Sequence, residues 1–315
     1  MPREPDPSLN ERAFTLQALR ESIRLDGRAL DAFRDLDISF GDEYGVVDLR
    51  LGKTRILTRI SASLVPPFPD RKFDGIFTIT TELSPLASPA FESNRPSTTE
   101  TLLSRLLEKT IRRSGALDTE SLCVSAGSKV WSLRADVHVL SHDGGLVDAS
   151  CVAIVAALRH FRVPDTSVVG GSGGEVKVWS VEERVPVPLS LLHFPVCVTF
   201  SFFDIRDRQK KEIGVGDGGG GEGGDEDLWV IDATLAEEKI RSGEVVVGMN
   251  SQGEVCQMAK LGGAAVDALT LLRCADLALV KCREITSLVT KKLEEDARAR
   301  DLGGLMAELR AENER

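Results

Sequence analysis

The stretch from about Asp148 to Phe161 is nearly all apolar, with Val152, Ile154, Val155, Ala156 and Leu158 leaving no polar face. A helix that is apolar all round must be covered on every side, so the rest of the chain has to wrap it. No run of about 18 apolar residues occurs, which makes it a core helix and leaves no expected membrane span or membrane partner.

The elements that must do the wrapping can be read from period and punctuation. A helical opening, Asn10 to Glu21, leads to a turn at Asp26-Gly27. Three β-like runs follow: Asp35–Phe40, Tyr44–Leu51 and Thr54–Leu64. Val47, Leu49 and Leu51 share one face, and the period-two alternation fits antiparallel strands. Gly75–Glu82 reads as another strand. Ser97-Thr98-Thr99-Glu100 has capping-box spacing and predicts a helix through Arg113, stopped by Gly115. A strand, Lys129–Leu140, meets the turn Asp143-Gly144-Gly145 before the apolar helix.

The segment after that helix carries one predicted strand, Glu175–Ser180. Strands Val196–Phe203, Leu228–Asp232, Gly243–Met249 and Glu254–Lys260 then precede an amphipathic helix through Val266, Leu272, Leu279, Ile285 and Leu293. Strands followed by helix, given twice, predict an α+β chain with two related halves in one body, not a doubly wound parallel sheet. The expected organisation is a helical segment 1–23, a first half 24–162, a connection 163–190, a second half 191–261, a C-terminal helix 262–299 and a charged tail 300–315. A Gly/Asp/Glu run, 214–227, interrupts the second half; no Gly-Lys-Ser/Thr closes it, so it is not read as a phosphate cradle.

Net charge is −10. A chain of that balance is a poor general binder of nucleic acid, so RNA contact needs a local basic patch or a partner's cations. The six cysteines include no C-x-x-C pair and read as small core residues in a reducing compartment. The polar, proline-rich N-terminus is not read as a signal peptide, so a cytosolic or nuclear protein is expected.

Four stretches, in this order and spacing, resemble the RNase PH family of phosphorolytic ribonucleases. They are Arg24-Leu25-Asp26-Gly27-Arg28, Gly52-Lys53-Thr54-Arg55, the run from Glu82 to Pro89, and Asp143-Gly144-Gly145 before the buried helix. The resemblance covers about residues 20–290. Residues Ser8 to Phe14, Asp118 to Val124 and Pro186 to Ser190 bring it nearest to ring subunits of the eukaryotic exosome. It implies a ribosomal protein S5 domain 2-like α/β sandwich. It also implies RNase PH-like partners in a six-membered ring, RNA-binding cap subunits, a hydrolytic exoribonuclease and single-stranded RNA. Nucleus and nucleolus, with cytoplasm, are the locations it implies.

Phosphorolysis needs phosphate held beside the scissile bond, with carboxylates and usually a metal to manage leaving-group charge. Active relatives resemble one another in following Gly-Gly with Thr-Arg-Thr or a close variant. Here the same positions are Leu146, Val147 and Asp148. Asp148 is expected to cap the helix and repel phosphate. Relatives also carry two aspartates about six residues apart; this chain has Asp232 and Glu238. Asp232 reads either as half of a metal-holding pair or as a strand-end or helix-capping residue before Thr234–Ile240. The resemblance therefore implies a catalytically silent relative with no cofactor or metal and no catalytic residues. The alternative is an active phosphate-dependent 3'-to-5' exoribonuclease with a modified phosphate site.

A binding role remains. Arg105, Lys109 and Arg112 recur at i, i+4 and i+7 with Arg113 beside them, opposite Leu103, Leu107 and Ile111. Such a stripe is either an ordinary solvated face or a track for an RNA backbone. Related ring subunits turn arginines at the positions of Arg105 and Arg112 toward the RNA path; Arg95, in the preceding loop, is a further candidate. His138 and His142 read as structural, and Trp131, Trp179 and Trp229 as core or interface anchors.

Overall fold

The computed structural model describes residues 6–92, 97–169, 175–180, 183–204, 228–263 and 265–300. Arg95, the run 214–227 and residues 301–315 lie outside them. Ser8 opens α1 (Leu9–Arg20) with a reciprocal capping box to Glu11. Strands β1 (Leu36–Phe40), β2 (Val46–Leu51) and β3 (Thr54–Val65) form the antiparallel meander that the alternation predicts. β4 (Ile76–Leu83) precedes α2 (Thr98–Leu107), again with the expected capping box, between Ser97 and Glu100. β5 (Cys123–Ser125) and β6 (Lys129–Ser141) complete a sheet of order β1-β2-β3-β6-β4, with β5 on β6. β4 joins it parallel to β6.

The apolar helix α3 (Leu146–His160) buries every residue except Val147 and Arg159. After it come β7 (Arg162–Val163), β8 (Thr166–Val169), β9 (Glu175–Val178) and β10 (Val187–Pro188), paired as β7 with β10 and β8 with β9. The sequence predicts one strand here. The two-residue β7 and β10 are adjoined by prolines and too short to show a period. β11 (Pro195–Phe203), β12 (Leu228–Ile231), the short α4 (Leu235–Glu238), β13 (Gly243–Asn250) and β14 (Val255–Gly262) follow. Their sheet is antiparallel in the order β12-β11-β13-β14. α5 (Ala268–Arg300) closes the described chain.

The cover demanded by α3 comes from both sheets: it packs on β2 and β3 of the first and on β11 of the second. α5 lies across β11 and β13 and reaches β1. One core cluster therefore runs from Ile38 and Val47 through Ile154 to Val196, Val246 and Val289.

Two expected helices have different bounds. α5 begins at Ala268, not Gly262, because Gly262 still pairs with Gly243 as the last rung of β14. α2 does not run unbroken to Arg113: after Leu107 the chain widens into a π turn, Glu108–Arg112, with Arg113 N–H bonded to Glu108 O. Buried Thr110 accompanies the change. Its hydroxyl donates back to Leu106 O at 2.9 Å and lies 3.0 Å from the Gln257 amide of β14. Such back-bonding competes with the regular helical ladder, and a single π turn is the usual way to absorb one extra residue.

Candidate functional site

The turn Asp143-Gly144-Gly145 joins β6 to α3, and residues from distant parts of the chain converge on it. Gly144 and Gly145 have φ of 81° and 66°, a region where glycine is at ease. Neither has room for a side chain. A Cβ on Gly144 would run into the Ala233 carbonyl; one on Gly145 would lie 2.6 Å from Arg34 Nη2 and 2.8 Å from Asp232 Oδ1. Thr54, at the start of β3, accepts the Asp143 N–H at 3.1 Å and donates to Gly144 O at 2.7 Å.

Arg34 is the hub. Nη1 donates to Asp143 O at 2.6 Å and Nη2 to Gly144 O at 3.1 Å. The same side chain forks onto Asp232, with Nε to Oδ2 at 2.9 Å and Nη2 to Oδ1 at 2.6 Å, and its backbone N–H adds a bond of 2.8 Å. Arg28 Nη1 reaches Asp232 Oδ2 at 3.0 Å. Arg24, fully buried, donates to the carbonyls of Ile231 and Asp232 and forks onto Glu237 at 3.1 and 2.7 Å. Burial works against the Arg34 cation, but the Asp232 carboxylate, with Asp143 and Glu238 beyond, outweighs it and raises the pKa. Removing one partner from such a pair leaves a buried charge alone, a loss of about 3–5 kcal/mol.

The expected carboxylate pair is thus split between two tasks. Asp232 is wholly buried, at a left-handed φ of 48°, and spent on arginines. Glu238 Oε1 accepts the Gly145 N–H at 2.9 Å. That N–H lies at the start of α3, where unpaired donors and the helix dipole favour an anion, and the chain's own carboxylate sits there. Among the described residues no group of three His, Cys, Asp or Glu is placed to hold a metal.

Asp148 corrects the expectation. Gly145 is the N-cap, and α3 begins at Leu146, so Asp148 lies within the first turn instead of capping it. Its carboxyl points into the second sheet, with Thr199 N–H 2.9 Å from Oδ2 and Thr199 Oγ1 2.6 Å from Oδ1. Burial pushes its pKa up to about 8, against the lowering effect of the Thr199 bonds and with help from Asp232 and Glu244. At neutral pH it is mainly uncharged, so charge repulsion from Asp148 is not what would keep phosphate away. Leu146 is buried, and Val147 is half-buried against the main core.

On α2 and its π turn, Arg105, Lys109, Arg112 and Arg113 are all exposed, with Leu103, Leu107 and Ile111 in the core. The wider turn rotates Lys109, Arg112 and Arg113 away from regular α-helical register with Arg105. Arg112 pairs with Glu108 at 2.7 Å. Arg112 and Arg113 edge a surface cleft of about 610 Å³ shared with Phe68 and Arg71, neither singled out by the sequence. His138 pairs with Glu82 at 2.9 Å, while His142 Nδ1 accepts the Gly144 N–H at 3.3 Å. Trp131 is buried and Trp229 packs edge-on to Phe200. Trp179 instead lies between Lys177 and Arg184, 3.5 and 4.2 Å from its ring centroid.

Two sheets thus share one enclosed helix, with an acidic strand end facing its Gly-Gly turn. Residues 32–164 match the 3' exoribonuclease family, domain 1, and residues 193–281 match domain 2 of that family. The chain is 47% identical over 318 residues to "Exosome complex component rrp45" of Schizosaccharomyces pombe, covering all of both chains. It is 45% identical to "Exosome complex component RRP45" of Saccharomyces cerevisiae, covering 100% of this chain and 99% of that one. Among solved structures, the Archaeoglobus fulgidus exosome with RNA bound to the active site aligns with a TM-score of 0.68 at 27% identity, over 88% of this chain and 97% of that one. The chain belongs to the 3' exoribonuclease, or RNase PH, family.

The buried acid gives a signed expectation. Folded Asp148 keeps its proton to about pH 8, whereas the unfolded chain releases it near pH 4. Its contribution to stability is therefore full below about pH 4 and declines as pH rises toward 8, by at most about 1.4 kcal/mol per pH unit. Asp148→Asn mimics the protonated form and does not titrate. In urea denaturation it should gain on wild type steadily from pH 5 to about pH 8; parallel profiles for the two proteins would contradict the assignment.

Proposed function

We propose that this chain is a catalytically silent ring subunit of an RNA exosome, pairing with RNase PH-like partners and guiding single-stranded RNA. The observation that carries the silent reading is Glu238 on the Gly145 N–H, beside an Asp232 already held by two arginine side chains. Phosphate would have to displace a carboxylate from the helix start, and a metal would have to strip Asp232 from buried cations. The apolar Leu146 and Val147 supply neither the hydroxyl nor the guanidinium that phosphate binding at such a turn would use. Full-length likeness to exosome components supports the assembly reading.

In this reading the exposed Arg105, Lys109, Arg112 and Arg113 contact RNA phosphates, with Arg95 as a further candidate from the preceding loop. The net charge of −10 makes that contact local and dependent on cations from neighbouring subunits. RNA-binding cap subunits and a hydrolytic exoribonuclease are the further partners, and nucleus, nucleolus and cytoplasm the locations. Cleavage then belongs to other subunits, and rRNA maturation and RNA turnover are what the assembly accomplishes.

Two measurements test this. The purified chain, incubated with single-stranded RNA, phosphate and magnesium, should release no nucleoside diphosphate; release abolished by Glu238→Ala with the fold intact would reinstate the enzyme reading. In the assembled ring, Arg105→Glu with Arg112→Glu should weaken RNA binding and reduce the salt-dependence slope by about 1.4, at about 0.7 per single-strand phosphate contact. Unchanged affinity and slope would reduce the stripe to a solvated surface.

A further inference from the structure

A second cleft, of about 560 Å³, lies between the end of α3, the β10 region and the last turns of α5. From α5 it is lined by Leu293, Asp296, Ala297 and Arg300, which recur at i, i+3, i+4 and i+7 and so share one helical face. Leu189 and Leu191 form an apolar wall, packed like Leu293 against the main core. Arg159 of α3 adds a cation: it bonds Thr290 Oγ1 at 3.0 Å and, among the described residues, has no carboxylate partner. His160 also borders the cleft, but burial drives its pKa down to about 4, so it carries no charge at neutral pH.

The end of α5 is pinned at the mouth of this cleft. Arg300 bonds Asp296 and the carbonyls of Gly41 and Asp42, and its guanidinium lies 4.9 Å from the Tyr44 ring centroid. Residues 301–315 therefore begin at the cleft. Their sequence carries a second apolar set, Leu302, Leu305, Met306 and Leu309, again at i, i+3, i+4 and i+7. The two sets are out of phase. At about 100° per residue, a straight continuation of α5 would put Leu302, Leu305 and Leu309 in line with Lys291, Glu294 and Arg298, all exposed. Such a stripe would face water uncovered, which apolar side chains avoid. Gly303-Gly304 falls between the sets, and glycine is the residue that ends a helix and reverses a chain. The segment is also acidic, with Asp301, Glu308, Glu312 and Glu314 against Arg310 and Arg315.

We propose that residues 301–315 turn back at Gly303-Gly304 and occupy this cleft of their own chain. Leu305 and Leu309 rest on Leu189, Leu191 and Leu293, with Glu308 and Glu312 toward Arg159. Covering two leucines, less the cost of ordering the segment, gives affinity on the order of millimolar. That is too little to hold a free partner. It suffices for a tethered segment, whose effective concentration is itself on the order of millimolar. The cleft is thereby closed from within, and any other ligand of its apolar wall has to displace the segment first. The inference is independent of the silent-subunit reading and of RNA contact at α2.

The test places a photo-cross-linking benzoylphenylalanine at Met306 of the full chain, purified alone and within its assembly, as an equal mixture of light and heavy isotope-labelled protein. After irradiation, cross-links should fall on residues 186–191 or on Leu293, joining light to light and heavy to heavy only. Leu305→Ser with Leu309→Ser leaves the body of the fold untouched and should lower their yield about ten-fold. Arg159→Gln should lower it several-fold at low salt and less at high salt. Mixed-isotope cross-links, or cross-links to another subunit, would overturn the proposal in favour of a second copy or a partner. Cross-links confined to other parts of the surface would overturn it outright, as would wild-type yield in the leucine variant or in Arg159→Gln.

Discussion

Asp232 is a buried carboxylate at a left-handed backbone position, and everything at the Gly-Gly turn is arranged around it. Arg34 grips it with both edges of its guanidinium while holding the carbonyls of Asp143 and Gly144. One side chain thereby ties the segment before β1, the strand end after β12 and the turn before α3 into a single junction. Arg24 and Arg28 fasten the same strand end from the N-terminal side. Desolvating this many charges is costly, and the arrangement persists because almost every donor edge finds an oxygen. Gly145 follows from it: any side chain there would push between Arg34 and Asp232.

That junction decides what the start of α3 can do. A helix N-terminus at a glycine turn is suited to an anion. Here the anion is supplied from within, as Glu238 on the Gly145 N–H. Asp148, one turn along, is directed away from the turn and onto Thr199, where burial keeps it mainly neutral. In the proposed reading, phosphate is opposed by the Glu238 carboxylate already on the Gly145 N–H and by the apolar Leu146 and Val147, not by Asp148.

Much of the framework could be read from local pattern. The capping box at Ser97, the meander of β1 to β3 and the enclosure of α3 all depend on spacing within a few residues. Arg34 could not be found that way, since its partner Asp232 lies 198 residues along the chain and no periodicity marks either. The Asp148 error has a local cause with a non-local consequence. Gly145 takes the left-handed cap, so the helix begins earlier than the polar residue suggests, and only the packing of β11 reveals Thr199 as its partner. The π turn was hidden for a similar reason, because Thr110 looks like any helix residue until Gln257 of β14 is brought beside it.

In a silent subunit of the kind proposed, the arginine junction and the Glu238 contact close the turn to orthophosphate. The direct measurement is a crystal of the chain, in complex with its ring partner, soaked in phosphate and examined at the Gly145 N–H. The expected result is Glu238 still bonded there, with no anion on the turn at any soak concentration that preserves the lattice. A phosphate seated on that N–H, with Glu238 swung aside and the Arg34–Asp232 fork unchanged, would contradict it.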